Sequence, residues 1–426
     1  MHAPRPVGTA ERFYWLFDRV SCTNFVVVAE LVRPIDPGAL AEALGEARQA
    51  YPLLDARIGV DEKGQVILEP GLAPAERSRV DVRAVDGDGA AGVATQLSEP
   101  FPWGSHPLHR FALHRRADSS ERLVATFHHA LLDARSGLWL VERILARALC
   151  GEALGSAPAL PPCQESLYPA RWKGVRARLG ALGMVLRGRL ESMGSVQIPI
   201  EGQGPRRPLV LSLALDPPAS AAWLERARRE GTTVHGGLCA AQLIALRAEI
   251  EEQGSRKLSL YHPVDLRPSF EPALETSAPG MFISMVPTSH QLGPEIDLWG
   301  LAREIRARVV CAVERGDAHL AWTGSPPMWI FPPDERGARR EQKMMDLLPP
   351  MTVVSNVGRV GAPSAALLQA VRGLHFAMGP QTGCPLLSAV TTWGGTLRVN
   401  LCFDRERVSP VRAERIRARI GAMLLP

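Results

Sequence analysis

Aromatic residues, long apolar runs and targeting signals are scarce in this sequence, and each scarcity excludes a class of protein. Aromatic side chains make up only 6% of the 426 residues, which argues against nucleic-acid binding. No run of about 18 apolar residues occurs, so no transmembrane helix is predicted. The first basic residues are not followed by the apolar segment of a secretory signal, so we expect a cytoplasmic protein.

The seven cysteines are scattered along the chain and include no C-x-x-C pair. Such a set is a poor disulfide framework and a poor zinc site, so we expect reduced thiols and no bound metal. The sequence also lacks a G-x-S-x-G nucleophile elbow, a glycine-rich phosphate loop and a dinucleotide fingerprint. A serine acyl-enzyme and a bound nucleotide cofactor are therefore not indicated.

What remains is the composition of an ordinary globular protein, with 46% hydrophobic and 22% charged residues and a net charge of +5. The length is sufficient for two domains with substantial cores. We predict two α/β subdomains, residues 1–200 and 205–426, separated at the glycine- and proline-containing segment 202–205. In the first, the valine-rich residues 24–32 predict a buried strand.

The strongest chemical signal is a pair of adjacent histidines. Residues 124–127 are β-favouring or small and apolar, His128 and His129 follow, and Asp133 precedes an apolar-periodic segment at 138–149. This order predicts a strand, a turn and a helix, with the imidazoles at the end of the strand. Because side chains alternate between the faces of a strand, only one of the two imidazoles is expected to face a given cavity.

Three further phrases lie in the second predicted subdomain. Residues 233–241 read TVHGGLCAA, residues 263–268 read PVDLRP, and residues 352–360 read TVVSNVGRV. Together with His-His-x-x-x-Asp at 128–133, they resemble, in the same order, landmarks of the chloramphenicol acetyltransferase-like superfamily, which includes the condensation domains of nonribosomal peptide synthetases. Within this superfamily, the phrases most resemble those of free-standing, polyketide-associated acyltransferases of the phthiocerol dimycocerosyl transferase type.

The resemblance implies an α/β fold of two chloramphenicol acetyltransferase-like subdomains, arranged as a V-shaped pseudo-dimer with a central channel. It also implies that His129 is the catalytic general base, a role that suits an imidazole with an ordinary pKa of about 6.5. His128 is then its structural neighbour, and Asp133 forms a structural pair with Arg267 of the second subdomain. A second interpretation, compatible with the first, is that Asp133 caps the following helix.

Two sources are open for the group that donates a hydrogen bond to the oxyanion formed during acyl transfer. One is a backbone N–H near the start of the helix after Asp133, where the helix dipole assists. The other is Ser355 or Asn356, from the second subdomain. The sequence departs from the family motif at Ala134, which stands in place of a glycine. Its methyl group narrows the backbone conformations available but leaves an N–H in place.

The activity that the resemblance implies is transfer of an acyl group to a hydroxyl acceptor in secondary-metabolite or polyketide lipid biosynthesis. The donor is a phosphopantetheine thioester, borne by an acyl carrier protein or by CoA, and no tightly bound cofactor is implied. One alternative is a stand-alone condensation enzyme that forms an amide. Another is a non-catalytic, condensation-like recruiter of carrier proteins, which would not need the complete histidine motif.

A basic segment runs from Arg171 to Arg189, where six basic residues interleave with leucine, methionine and valine. It predicts a basic amphipathic helix. The helix face is interpreted either as solvated, as a docking surface for an acidic acyl carrier protein, or as a membrane-binding surface. We expect the protein itself to be a monomer.

Overall fold

The computed structural model describes residues 4–70, 80–85, 90–102, 104, 107–116, 120–155, 160–251, 254–325, 330–361, 363–379 and 381–425. The strands in these ranges are β1 (Arg5–Pro6), β2 (Phe25–Leu31), β3 (Ala56–Val60), β4 (Val66–Pro70), β5 (Val80–Ala84), β6 (His109–Arg115), β7 (Glu121–Phe127), β8 (Pro208–Leu215), β9 (Arg256–Asp265), β10 (Ile283–Leu292), β11 (Thr352–Arg359), β12 (Val371–Met378), β13 (Leu386–Trp393) and β14 (Thr396–Asp404). The helices are α1 (Thr9–Phe17), α2 (Pro37–Ala50), α3 (Ala90–Ser98), α4 (Ala134–Cys150), α5 (Gly174–Ser192), α6 (Pro217–Arg229), α7 (Val234–Arg247), α8 (Leu298–Glu314), α9 (Asp317–Thr323), α10 (Glu335–Asp346), α11 (Ala365–Ala370) and α12 (Pro410–Leu424). Helices and strands occur throughout the chain, which confirms the predicted α/β class.

The first lobe is built on a five-stranded sheet in the order β12-β2-β7-β6-β5. Strands β2 and β7 pair antiparallel, so that Phe25 at the start of β2 lies opposite Phe127 at the end of β7. Both strands are buried along nearly their whole length, which is why β2 begins with five consecutive apolar residues and no polar alternation. His128 and His129 follow β7 directly and therefore lie beside the start of β2.

Helix α4 packs against α2 and against strands β2 and β12 of this sheet. Its N-cap is Asp133, and it ends at Gly151, whose φ of 70° is a left-handed conformation that glycine adopts without steric cost. Near its start, a Cβ atom added at Gly137 would lie 2.7 Å from the ring of Phe25. The absence of a side chain at Gly137 therefore lets the start of α4 approach β2 closely.

The second lobe is built on a six-stranded sheet in the order β10-β9-β11-β13-β14-β8. Helices α7, α8 and α12 pack together beside it over a leucine-rich core. In β9, Leu258 and Leu260 point into this core, and alternation puts His262 on the same face. Strand β11 shifts its register with β13 between Asn356 and Gly358, a bulge of the kind that redirects side chains.

One strand does not follow the predicted division at residues 200–205. Strand β12 lies far along the chain, yet it belongs to the sheet of the first lobe, where it pairs antiparallel with β2. From the second sheet, the side chains of Asn400 and Trp393 donate hydrogen bonds to the carbonyls of Phe376 (2.7 Å) and Val371 (3.0 Å). The two lobes are therefore not two consecutive segments, because β12 satisfies the backbone edge that β2 presents on the side away from β7.

Candidate active site

The first histidine of the motif, His128, is held inside the first lobe. Its Nδ1 accepts a hydrogen bond from the amide of Ala130 at 3.1 Å, and its Nε2 lies 3.6 Å from a carboxylate oxygen of Asp18. The residue is only 3% exposed, and burial lowers the pKa of its imidazole. Both ring nitrogens thus face protein groups, an arrangement that suits a scaffold residue.

The second histidine, His129, has a different environment. Its Nδ1 lies 3.0 Å from the carbonyl oxygen of Leu132, and because a carbonyl only accepts, Nδ1 must carry the proton. The ring stacks on Tyr14 with a centroid separation of 4.1 Å and meets the ring of Phe25 edge-on at 5.5 Å. Burial lowers the pKa of His129 to about 4. At neutral pH the ring is therefore uncharged and its Nε2 carries a lone pair.

The ring of His129 lines a small cavity of about 60 Å³ between the lobes. One wall comes from the first sheet, through Phe25 and Phe376, and the other from the second, through Pro263 and Ile283. A second cavity, of about 330 Å³, adjoins the first because Arg135 and Val357 line both, and Arg359 lines the second cavity. His129 is thus placed where groups from both lobes meet.

The carboxylate of Asp133 makes all its hydrogen bonds to the scaffold. Its Oδ1 accepts from the amide of Ser136 at 2.9 Å, as a helix cap does. Its Oδ2 accepts from Nη2 of Arg267 at 2.8 Å and from the amide of Phe282 at 3.1 Å. Pairing and capping, the two roles considered for this residue, occur together in one side chain. Because the proton of His129 Nδ1 goes to a backbone carbonyl, Asp133 is not the third member of a catalytic triad.

Arg267 stands in a row of alternating charges that crosses between the lobes. Its side chain is fully buried, and its Nη1 donates to Oδ1 of Asp265 at 2.9 Å. The other carboxylate oxygen of Asp265 lies 3.2 Å from Nε of Arg135. Nη2 of the same arginine donates to the carbonyl of Val357 at 2.9 Å. Burial opposes the charge of Arg267, but Asp133 and Asp265 outweigh it and raise the pKa of the guanidinium. The row fixes the start of α4 to the second lobe.

The amides at the start of α4 are partly occupied. The amide of Ser136 donates to the side chain of Asp133, and the amide of Gly137 donates to its backbone carbonyl at 3.0 Å. These two N–H groups are therefore unavailable to a developing oxyanion. Ala134 and Arg135 line the cavity beside His129, so a backbone donor at the helix start is restricted to the first two residues of α4.

Ser355 and Asn356 both line the same cavity from strand β11. The amide oxygen of Asn356 accepts a hydrogen bond from the amide of Gly358 at 2.9 Å, across the bulge. With its oxygen engaged, the side chain retains its NH₂ group as a donor. Asn356 can therefore still donate a hydrogen bond from its side chain.

Three residues at this site were not identified from the sequence: Tyr14, Arg135 and Asp265. Asp265 lies within the PVDLRP phrase and Arg135 lies two residues beyond the aspartate of the histidine motif, so the phrases themselves were a signal for both. Tyr14 had no such signal, because it reaches His129 from α1, more than a hundred residues earlier in the chain.

The predicted basic helix is α5, and its burial differs from the expectation for an amphipathic helix. The residues that it buries are small, Ala177 and Ala181 among them, and they pack on Leu320 of α9. Most of its larger apolar side chains are exposed, and five of them form a stripe at intervals of three and four residues: Val175, Leu179, Leu182, Leu186 and Leu190. No helix in the described part of the chain, α5 included, has the length and apolarity to cross a membrane. The stripe is therefore a solvent-facing surface with arginines beside it.

Comparisons with known proteins agree with this fold. Residues 204–394 match the family model described as the C-terminus of phthiocerol/phthiodiolone dimycocerosyl transferase, which confirms the resemblance read from the motifs of the second half. No curated protein sequence matches the chain significantly. Among solved structures, polyketide synthase associated protein 5 from Mycobacterium tuberculosis is similar, with a TM-score of 0.66 and 17% identity over 99% of this chain and 97% of that one.

Two further structures extend the likeness. Trichothecene 15-O-acetyltransferase from Fusarium sporotrichioides has a TM-score of 0.73 at 11% identity, over 99% of this chain and 95% of its own. The first condensation domain of the calcium-dependent antibiotic synthetase has a TM-score of 0.71 at 16% identity, with the same two coverages. At these identities the likeness shows the fold, and it confirms the predicted V-shaped pair of chloramphenicol acetyltransferase-like subdomains.

Proposed function

We propose that this protein is an acyltransferase that moves an acyl group from a phosphopantetheine thioester to a hydroxyl acceptor, with His129 as the general base. One observation carries the proposal. The hydrogen bond from Nδ1 of His129 to the carbonyl of Leu132 leaves an unprotonated Nε2 on a ring that lines the cavity between the lobes.

The chemistry needs one base and one site for an oxyanion. Nε2 of His129 removes the proton of the acceptor hydroxyl while its oxygen attacks the thioester carbonyl, and Asn356 donates a hydrogen bond to the resulting oxyanion. The tetrahedral intermediate then collapses: the C–S bond breaks, the leaving thiolate takes the proton from the imidazolium, and an ester and a free thiol result. Asp133 and Arg267 are positioning residues, since they hold the loop that presents His129 and touch no reacting atom.

The surroundings of the cavity support a thioester donor and an alcohol acceptor. The adjoining cavity of about 330 Å³ is lined by Arg135 and Arg359, which suit the phosphate of a phosphopantetheine arm. The match of residues 204–394 to a dimycocerosyl transferase family, and the likeness to an O-acetyltransferase, favour an ester product over an amide. The condensation-domain likeness keeps amide formation as the second candidate.

The first test is turnover of acyl-CoA and acyl-carrier thioesters by the purified protein and its His129→Ala variant. General base catalysis contributes roughly 10²–10⁴-fold, so we expect kcat/KM to fall by about that factor with the fold retained. His128→Asn, which keeps an acceptor for the Ala130 amide, is the matched control and should lose less than about tenfold. Turnover by His129→Ala at the wild-type rate would contradict the proposal.

A second measurement separates the candidate products. Paired alcohol and amine acceptors of the same carbon skeleton, analysed by intact mass, should yield the ester in excess. Amide in excess would assign the stand-alone condensation activity instead. Binding of an acylated carrier protein with no turnover of either acceptor would indicate a non-catalytic recruiter.

We also propose that the exposed face of α5 binds an acidic acyl carrier protein. Three of its arginines, Arg176, Arg178 and Arg189, are exposed, and they flank an apolar stripe roughly 22 Å long. Helix α9, on which α5 packs, carries Trp322, whose ring lies 6.4 Å from that of Tyr14. A chain of contacts therefore runs from α5 through Trp322 of α9 and Tyr14 of α1 to the ring of His129.

The double charge reversal Arg176→Glu/Arg178→Glu tests this surface. We expect it to raise KM for a carrier-borne donor about tenfold or more and to leave KM for the matching acyl-CoA within twofold, because only the carrier meets the helix. Equal effects on both donors would contradict docking at α5. Loss of binding to anionic vesicles with no change in carrier use would indicate a membrane surface instead.

A further inference from the structure

A group of two histidines and one cysteine lies inside the second lobe, apart from the cavity that His129 lines. His235 and Cys239 are one turn apart on α7, and His262 comes from β9. Nε2 of His235 is 2.9 Å from Nδ1 of His262, and Sγ of Cys239 is 3.5 Å from the first and 3.8 Å from the second. Three ligand-type atoms from two elements therefore converge on one point.

The separations of these atoms match those around a single zinc ion. In a tetrahedral site the Zn–N distance is about 2.0–2.1 Å and the Zn–S distance about 2.3 Å. Neighbouring ligand atoms are then about 3.4 Å apart for two nitrogens and about 3.6 Å for nitrogen and sulfur. The observed distances of 2.9, 3.5 and 3.8 Å differ from these by about 0.1–0.5 Å, so an ion fits after side-chain rotations that move the two imidazoles apart.

A chain of hydrogen bonds behind His262 determines which of its nitrogens is free. Nδ1 of His290 lies 3.0 Å from the carboxylate of Glu304, which only accepts, so this nitrogen carries the proton. When the ring of His290 is neutral, its Nε2 accepts a hydrogen bond from the hydroxyl of Thr288 at 2.9 Å. The hydroxyl must then accept from Nε2 of His262, 2.7 Å away. Nδ1 of His262 is left with a lone pair directed at the other two groups.

The burial of the group suits a bound ion that is reached from one side. Cys239 and His262 are buried, whereas His235 is partly exposed. Coordination to a metal ion stabilises the thiolate form of a buried cysteine. A histidine that binds a metal through one ring nitrogen usually donates a hydrogen bond from the other. His262 has such a partner in Thr288.

We propose that His235, Cys239 and His262 bind Zn²⁺ and that the ion fastens α7 to β9, with water as the fourth ligand on the exposed side of His235. Two imidazoles and a thiolate suit zinc among the common divalent cations. On binding, the Cys239 thiol loses its proton to solvent and His235 moves its proton from Nε2 to Nδ1, so one proton is released per ion. The site takes no part in the proposed acyl transfer and stands independently of it.

The test uses the full chain without a polyhistidine tag, stripped of metal and titrated with Zn²⁺ against a chromogenic chelator. We expect one ion per chain with a dissociation constant below about 1 µM. Co²⁺ in place of Zn²⁺ should give a thiolate-to-metal charge-transfer band in the near ultraviolet. Calorimetry in buffers of different ionisation enthalpy should show release of about one proton per ion.

Three variants and one control make the result decisive. Cys239→Ser should abolish the charge-transfer band. His235→Gln changes the partly exposed ligand and should weaken zinc binding by at least about tenfold; it serves as the test if the Cys239→Ser protein does not fold. Thr288→Val breaks the hydrogen-bond chain without removing a ligand and should weaken binding about 10–100-fold. Cys402 is another buried thiol, and the control variant Cys402→Ser should bind Zn²⁺ as tightly as the wild type. Absence of tight stoichiometric binding, or equal binding by Cys239→Ser, would overturn the proposal.

Discussion

The two lobes each contain a group of histidines, and the groups differ in what the ring nitrogens face. In the first lobe, His128 has protein groups at both nitrogens, whereas His129 has a backbone carbonyl at one and the interlobe cavity beside its ring. In the second lobe, His235 and His262 point at each other and at a thiol. Burial lowers the pKa in all four, so each ring is a neutral base.

The difference teaches that the role of a buried neutral imidazole depends on where its lone pair points. A lone pair directed at a cavity that admits a substrate is available to take a proton. A lone pair directed at a second imidazole and a thiol is available to a metal ion. In both lobes, a hydrogen bond at one ring nitrogen determines that the other nitrogen carries the lone pair. For His129 the partner is the carbonyl of Leu132, and for His262 it is the hydroxyl of Thr288.

The largest expected effect concerns the buried ion pair between Asp133 and Arg267, which supports the loop carrying His128 and His129. Arg267→Met leaves the charge of Asp133 buried without its partner, which should lower the free energy of unfolding by about 3–5 kcal/mol. Urea unfolding measures this loss. The double variant Asp133→Asn/Arg267→Met should recover part of it, since no uncompensated charge remains. If both single and double variants unfold like the wild type, the pair does not hold the lobes together.

Removal of metal should affect the second group alone. At a Zn²⁺ concentration of 100 times the dissociation constant, the bound ion stabilises the folded state by about 2.7 kcal/mol. Chelation should therefore lower Tm by a few degrees while kcat at the assay temperature stays within twofold. A parallel loss of kcat would place the ion in the catalytic machinery and erase the distinction between the two groups.

The pH dependence of activity sharpens the description of His129. Because burial lowers its pKa to about 4, the imidazole stays uncharged as the pH falls from 7 to 5, and kcat/KM should hold nearly constant over that interval. With an imidazole of the ordinary pKa of about 6.5, kcat/KM would fall roughly 25-fold between pH 7 and pH 5. An acidic limb with its midpoint near pH 6.5 would show that the ring is more solvated than the structure places it.

The smallest effect concerns the ring contact beneath His129. An aromatic pair contributes about 0.5–1.5 kcal/mol beyond its burial, so Tyr14→Leu should lower kcat by about 2–10-fold with little change in KM. Tyr14→Phe keeps the stacked ring and should match the wild type within twofold. A large loss in Tyr14→Phe would instead give the hydroxyl group a role in the reaction.

Local sequence was sufficient to predict much of the first group. The apolar run before the histidines, the alternation of side chains on a strand and the aspartate before an apolar-periodic segment predicted β7, the loop and α4. They also predicted that the two histidines face different surroundings. The assignment of His129 as the base remains a proposal, because the motif alone does not reveal what substrate the cavity admits.

Other features depend on residues that are distant in the sequence. The return of β12 to the first sheet follows from an open backbone edge on β2, which no local pattern reveals. In α5 the small residues Ala177 and Ala181 make the contact with α9 and leave the leucines exposed, which the pattern of apolar and basic residues alone does not reveal. The second histidine group is not marked by a C-x-x-C spacing, because its members come from α7 and β9.

By itself, then, the order of residues determined the elements, the motif loop and the α/β class, because periodicity, capping and β-preference act within a few residues of chain. Only the folded molecule decided which imidazole nitrogen is free, which charges neutralise one another across the lobes and which thiol meets two histidines. Those outcomes depend on contacts between segments tens to hundreds of residues apart, and their energies depend on burial that exists only after the lobes have packed.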